Sequence, residues 1–235
     1  MRVSDFFRFP HTPHIAWLGE GVSRDDKVLS PDEAAKFLTN DIVVEEKLDG
    51  ANMGLSISPD GIIRAQNRGQ YLREPYQGQF KKLRTWLACR EGELFDALGG
   101  ELVLFGEWCA ARHSMDYDAL PDWFLVFDVY DQPAQRFWST KRRDQLARDL
   151  DLFTVPHVTK GKFSLHTLVD LLLQRSGTYH SGSIEGFVLR RENNDWLEER
   201  VKLVHPDFTQ AIEEHWRRRV IEWNRLRAEQ RSQRR

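Results

Sequence analysis

A series of short β-branched and aromatic runs, each cut off by a turn or a charged residue, limits most strongly what this chain can fold into. Ile42 to Glu46, Met53 to Ile57, Ile62 to Gln66, Leu102 to Phe105, Trp123 to Tyr130, Ser183 to Arg190 and Glu199 to Val204 read as strands. Ser58-Pro59-Asp60-Gly61 and Asn193-Asn194-Asp195 are turn sequences, and the second makes the last two runs a hairpin. Helical spacing appears between the strands. Phe80, Leu83, Trp86 and Leu87 predict a helix over Gln77 to Ala88, Leu94 to Leu98 a second beyond Gly92, and Ser139 to Leu150 and Leu165 to Leu173 two more. Ser30-Pro31-Asp32-Glu33 reads as N-cap, proline at the first helical position and acidic first turn, starting a helix to about Leu38.

From Asp207 a final helix is predicted, with Phe208, Ile212, Trp216 and Val220 at four-residue steps. Its first half docks and its arginine-rich second half projects. Residues 217 to 235 carry eight arginines against two glutamates, so that end is +6 in a chain of net charge −2. Such asymmetry fits a segment that meets a polyanion, and equally a solubilising, frayed end. With 235 residues, 40% hydrophobic and 30% charged, the chain can bury one core. Residues 1 to 206 are expected as one domain, including an N-terminal packing segment, with 207 to 235 as a small appendage.

No apolar run approaches the roughly 18 residues of a membrane span. The N-terminus, with Arg2, Asp5 and Arg8 among its phenylalanines, has no signal-peptide core. A cytoplasmic protein without a membrane partner is expected. Cys89 and Cys109 lack metal-binding spacing and read as small buried hydrophobes. His11 and His14 have helical spacing, but Pro13 opposes a helix, which favours packing or hydrogen bonding over a metal.

Polar residues at the strand ends carry the chemistry. Lys47 closes the first strand and reads as a nucleophile. An amine attacks phosphorus only when neutral, so a pKa ordinarily about 10.4 has to be depressed, which lysine allows and arginine does not. Gly50 permits a tight turn and close backbone approach to a ligand, and Asn52 offers an amide to a phosphate oxygen. Alone, this stretch also fits a surface turn with a solvated lysine. Arg68 leaves the third strand beside Gly69 and can reach a ribose or a phosphate, or be an ordinary loop arginine. Glu107, at a strand end, can accept from ribose hydroxyls or close a salt bridge. Period-two alternation puts Leu125 and Phe127 on one face and Phe124, Val126 and Asp128 on the other. Phe127 is a candidate to stack on a purine, or a core phenylalanine. Glu185 enters another strand, and Arg200 and Lys202 share one hairpin face, a costly pair unless anions meet them.

Taken in order, Lys47-Leu48-Asp49-Gly50, Asn67-Arg68-Gly69, Gly106-Glu107, Phe127-Asp128, Glu185-Gly186 and Arg200-Val201-Lys202 resemble the covalent nucleotidyltransferase superfamily of ATP-dependent polynucleotide ligases and RNA capping enzymes. Within it the chain looks most like the ATP-dependent RNA ligases of the phage nick-sealing type and their bacterial relatives. The resemblance implies an α+β fold of antiparallel β-sheets flanked by helices, an ATP-grasp-like adenylyltransferase core with ATP held between the sheets. It implies that Lys47 attacks the α-phosphate to give lysyl-AMP, that AMP moves to a 5′-phosphate, and that a 3′-hydroxyl displaces it, at RNA ends or nicks. By the same resemblance Lys47, Asp49 and Lys202 are catalytic. Glu46 contacts the adenine amino group, Arg68 and Glu107 the ribose, and Phe127 the adenine face. Glu185 holds Mg²⁺ or Mn²⁺, and Arg200 and Lys202 bind phosphates and help lower the pKa of Lys47.

Two features depart from that pattern. Arg200 stands where many relatives have lysine. Only 33 residues follow Lys202, too few for the OB-fold of DNA ligases and capping enzymes, so either a short C-terminal helical appendage replaces it or a repair-partner protein supplies substrate grip. A minimal ATP-dependent DNA ligase is the nearest rival. A non-catalytic nucleic-acid-binding adaptor is another, against which Lys47, Glu185 and Lys202 are all intact.

Overall fold

The computed structural model describes residues 6–20, 27–210 and 221–227. Helix α1 (Pro31–Leu38) begins at the expected cap, where Glu33 N–H donates to Ser30 Oγ and the Glu33 carboxylate accepts from Ser30 N–H at 2.8 Å. Strand β1 (Ile42–Lys47) follows, then β2 (Ala51–Ile57) and β3 (Ile63–Gln66). After a 3₁₀ turn at Gly78–Phe80 come α2 (Leu83–Ala88), α3 (Glu91–Leu98), β4 (Leu102–Trp108), β5 (Phe124–Asp131) and β6 (Arg136–Phe137). The chain continues through α4 (Thr140–Asp149), β7 (Phe153–Thr154), β8 (His157–Gly161), α5 (Leu165–Gln174), β9 (Gly186–Glu192), β10 (Leu197–Val204) and α6 (Pro206–Gln210).

The fold is α+β, as expected, with its strands in two sheets. One has the order β10-β9-β1-β8 and is antiparallel throughout. The other has the order β3-β2-β4-β5-β6, antiparallel, with β7 pairing parallel to β5. Lys47 is the last residue of the first sheet's β1 and Ala51 opens the second sheet's β2, so Leu48-Asp49-Gly50 is where the chain crosses between them. Leu83, Trp86, Leu94 and Leu98 of α2 and α3 pack on the second sheet with Met53, Leu55 and Leu104. Phe37 of α1 and Leu168 and Leu172 of α5 pack on the first with Val44, Phe187 and Leu203. The N-terminal segment laces the sheets together. Phe7 stacks on Tyr130 at 3.6 Å, Phe9 packs on Phe105, and the backbone around His14 bonds to Lys202, covering the outer edge of β10.

Several expectations change. The helix foreseen over Gln77 to Ala88 starts only at Leu83, because Gly78 takes a left-handed φ of 58°. Strand β8 escaped the sequence reading because it is a half-exposed edge without an apolar run. Cys89 is exposed and Cys109 buried. The final helix is described only over Pro206–Gln210, and the positions of Ile212, Trp216 and Val220 lie outside the described residues. Residues 221–227 are extended rather than helical. Trp223 bridges to Ala111 and Leu226 to Leu120, so Arg225 and Arg227 belong to a strap laid along the loop after β4, not to a projecting arm.

Candidate active site

Between the sheets lies a cleft of about 740 Å³, within the usual size of a small-molecule site. β1 contributes Glu46 and Lys47, β2 Asn52, the exit of β3 Arg68, β4 Glu107, β5 Phe127 and β10 Arg200 and Lys202. The fold therefore brings to one place residues that are scattered over more than 150 positions of sequence. Asp49 and Glu185 do not line the cleft; they act on Lys47 from beside it.

Lys47 Nζ donates to Glu185 Oε1 at 2.6 Å. Burial pushes this ammonium down, but the attraction of Glu185, then Glu107 and Asp49, outweighs it, and the amine holds its proton above the ordinary lysine value. This corrects the expectation of a depressed pKa: nearby carboxylates outnumber the cations that face the amine. Burial first, then the same crowding of negative charge, pushes Glu185 up to about 7 and Glu107 up to about 8, against the pull of Lys47. The Asp49 carboxylate is engaged by a neighbouring loop. It accepts from Ser114 N–H at 2.7 Å, Ser114 O–H at 2.5 Å and Met115 N–H at 3.1 Å. Asp49 thus pins a loop beside the cleft.

Gly50 is needed for close approach, but to protein. A Cβ there would lie 2.7 Å from the Trp108 carbonyl oxygen, and Gly50 N–H donates to Glu107 at 3.1 Å. The Glu46 carboxylate is engaged by Thr178, whose hydroxyl donates to it at 2.6 Å. Any adenine contact by that side chain competes with Thr178. Arg68 sits on a turn that Asn67 shapes by accepting from Gly69 N–H at 2.8 Å and Gln70 N–H at 2.9 Å.

Alternation fails in the middle of β5. Phe105 pairs with Asp128 and the adjacent Gly106 with Val126, so Phe127 is the extra residue of a β-bulge. Phe127 and Asp128, expected on opposite faces, consequently both line the cleft. Asp128 is fully buried and accepts from Arg190 Nη1 at 2.8 Å and from Arg200, which lies over the Phe9 ring at 4.4 Å. Burial pushes Arg200 down to about 10, against the pull of Asp128. Behind them Arg143 Nη2 donates to Glu45 at 2.6 Å and Nη1 to the Phe127 carbonyl at 2.8 Å. Glu45, Asp128, Arg143 and Arg190 form a charged floor that the sequence reading missed. For Glu45, Asp128 and Arg190 the signal was charge inside otherwise apolar strands; Arg143, on the polar-looking α4, gave none. His113 was missed too; it lines the cleft with Nε2 2.7 Å from Gln79 Oε1 and Nδ1 3.7 Å from Asp49.

Three buried oxygens at the site, Asn52 Oδ1, Glu185 Oε2 and Glu45 Oε2, have no hydrogen-bond partner, and of these Glu45 Oε2 is offset by Arg190 Nε at 3.8 Å. Oxygen donors with capacity to spare suit Mg²⁺ or Mn²⁺. Among the described residues no cluster of three or more His, Cys, Asp or Glu is arranged to hold a metal by itself. A cation here would therefore share its coordination with ligand oxygens.

Among solved structures, the Naegleria gruberi RNA ligase with PPi matches with a TM-score of 0.59 at 18% identity, over 90% of this chain and 65% of that one. A glutamate-to-alanine mutant of that ligase with ATP and Mn gives 0.60 at 17% identity, over 90% and 60%. An arginine-to-alanine mutant, also with ATP and Mn, gives 0.62 at 16%, over 89% and 59%. At such identities the likeness is one of fold, and the chain spans about three fifths of the length of these solved relatives. A search of curated proteins finds no match. The family profile described as RNA ligase matches residues 40–204, from just before β1 to the end of β10, and by that match the chain belongs to the RNA ligase family.

Proposed function

We propose that this chain is an ATP-dependent RNA ligase that joins a 3′-hydroxyl to a 5′-phosphate through lysyl-AMP on Lys47. The observation that supports this most is a half-buried amine, paired with Glu185, at the point where the chain crosses between the sheets. It faces a nucleotide-sized cleft that has Arg200 and Lys202 on one wall and Glu107 and Phe127 on the other. Nζ attacks the α-phosphorus of ATP, and a P–N bond forms as the bond to pyrophosphate breaks. AMP passes to the 5′-phosphate of the RNA, restoring the amine, and the 3′-hydroxyl then displaces AMP to seal the strand. Because such transfers ask mainly for alignment and charge neutralisation, Lys202, Arg200 and Arg68 hold phosphates and ribose while Phe127 lies against the base.

Lys47 has to lose a proton first. Glu185 Oε1, at 2.6 Å and pushed up to about 7, is its nearest acceptor. Once that pairing ends, burial alone favours the neutral amine. Glu185 Oε2 and Asn52 Oδ1 are the oxygens left to hold Mg²⁺ or Mn²⁺, which when bound neutralises phosphate oxygens. As part of this reading we assign some of the RNA grip to a repair-partner protein. No described helix is long and apolar enough to cross a membrane. Use of ATP and the free thiols of Cys89 and Cys109 favour a cytoplasmic setting.

The test is labelled ATP with Mg²⁺. A label that survives alkali and is lost in warm acid, as a P–N bond requires, should appear on the protein and vanish in Lys47→Arg, and sealing should then be measured on matched RNA and DNA nicks. No label would leave a nucleic-acid-binding adaptor, and sealing of DNA alone a minimal DNA ligase.

A further inference from the structure

The strap 221–227 is held by an unusual amount of polar bonding for an extended segment near the end of a chain. Asn224, only 3% exposed, uses every polar atom of its side chain. Its Nδ2 donates to the carbonyls of Cys109 at 2.8 Å and Ala111 at 3.2 Å, and its Oδ1 accepts from Tyr117 N–H at 2.9 Å. Its own N–H donates to Ala110 O at 3.0 Å, and Arg225 N–H donates to Tyr117 O at 2.9 Å. Glu222 reaches Arg112 at 2.9 Å, and the Lys82 ammonium sits over the rings of both Trp123 and Trp223, at 3.9 and 4.8 Å. One face of the loop from Cys109 to Tyr117 is thereby fixed by the strap.

The other face of that loop is fixed by the turn that carries Lys47. Tyr117, 1% exposed, accepts from Asp49 N–H through its hydroxyl at 2.8 Å. The Asp49 carboxylate in return holds the backbone of Ser114 and Met115. Tyr117 is the residue both sides share: its backbone belongs to Asn224 and its hydroxyl to Asp49, two positions from Lys47. An asparagine buried with all its capacity spent, bridging three carbonyl-bearing residues and an amide, sets the loop's shape rather than merely filling space.

We propose that Asn224 is a positioning residue for the adenylylation step. By holding the loop from Cys109 to Tyr117 it sets the Lys47-Leu48-Asp49-Gly50 turn, so the strap is part of the nucleophile's support and not of an RNA-binding arm. This rests on Lys47 being the nucleophile. Misplacing an attacking group by a fraction of an ångström lowers the rate of the chemical step while leaving nucleotide binding largely intact.

The experiment is single-turnover self-adenylylation of the full chain with labelled ATP and Mg²⁺, read as maximal rate and half-saturating ATP separately. Asn224→Ala should lower the maximal rate about ten- to a hundredfold and leave half-saturating ATP within about twofold. Tyr117→Phe, which keeps core volume and so remains informative if Asn224→Ala misfolds, should do the same. The double variant should be no slower than the slower single, because both act through one path. A Tyr117→Phe protein that adenylylates at the wild-type rate overturns the proposal. So do losses that multiply in the double variant, or a loss that only follows the unfolded fraction at the assay temperature. Wild-type protein that takes no label overturns the reading of Lys47 and this inference with it, whereas a labelled wild type with unaffected variants overturns this inference alone.

Discussion

At Glu107 the site's burial of charge becomes a measurable cost. Its carboxyl is pushed up to about 8 by burial, so between about 4.5 and 8 the folded protein holds a proton that the unfolded chain releases. Stability from this group therefore falls as pH rises through that window. Glu107→Gln keeps an oxygen for the Gly50 N–H and removes the titration. Its Tm should match the parent near pH 4.5 and exceed it by a growing margin up to pH 8.5 in thermal melts. Self-adenylylation follows a different group: with Glu185 raised to about 7, its initial rate should climb as pH passes through 7 and Glu185 becomes able to accept the Lys47 proton. Lys47, Glu107 and Glu185 were legible as candidate residues because each lies at or beside the end of a strand. The direction of the Lys47 shift was not, because its carboxylate partner stands 138 positions away and only the fold sets them at 2.6 Å.

At the scale of single elements, β5 carries the most consequence. Its bulge turns Phe127 and Asp128 toward the same cleft, and the Asp128 carboxylate then joins Arg190 of β9 to Arg200 of β10. Removing one partner of a buried ion pair leaves an uncompensated charge. Arg190→Ala should cost about 3–5 kcal/mol in urea unfolding, whereas Arg84→Ala, from the exposed pair with Glu74, should be hard to distinguish from the parent. The strands themselves were readable from their β-branched and aromatic runs. The bulge was not, since a strict period of two has no place for an extra residue, and β8 offered no apolar pattern to read. Helix α1 came out as foreseen because its cap is local chemistry, complete within Ser30 to Glu33.

For the whole molecule, the α+β architecture followed from the sequence, but the course of the C-terminal segment did not. A helical apolar spacing from Asp207 suggested a projecting arm, remote from the adenylylation site. The bonds of Trp223 and Asn224 to the loop after β4 argue otherwise. Deleting residues 217 to 235 should abolish the lysyl-AMP label, while deleting 228 to 235 alone should keep it and reduce RNA affinity and its salt dependence in binding titrations. A further consequence lies in the position of β1 within its sheet, between β8 and β9. On the ribosome Ile42-Val43-Val44 emerges early, and the β9 residues that flank it arrive more than a hundred residues afterwards, a wait of roughly 5 to 30 s at ordinary translation speed. For that interval this apolar ribbon is bare, and the soluble yield in a heterologous host should depend on chaperone supply and growth temperature more than the finished protein's stability would suggest.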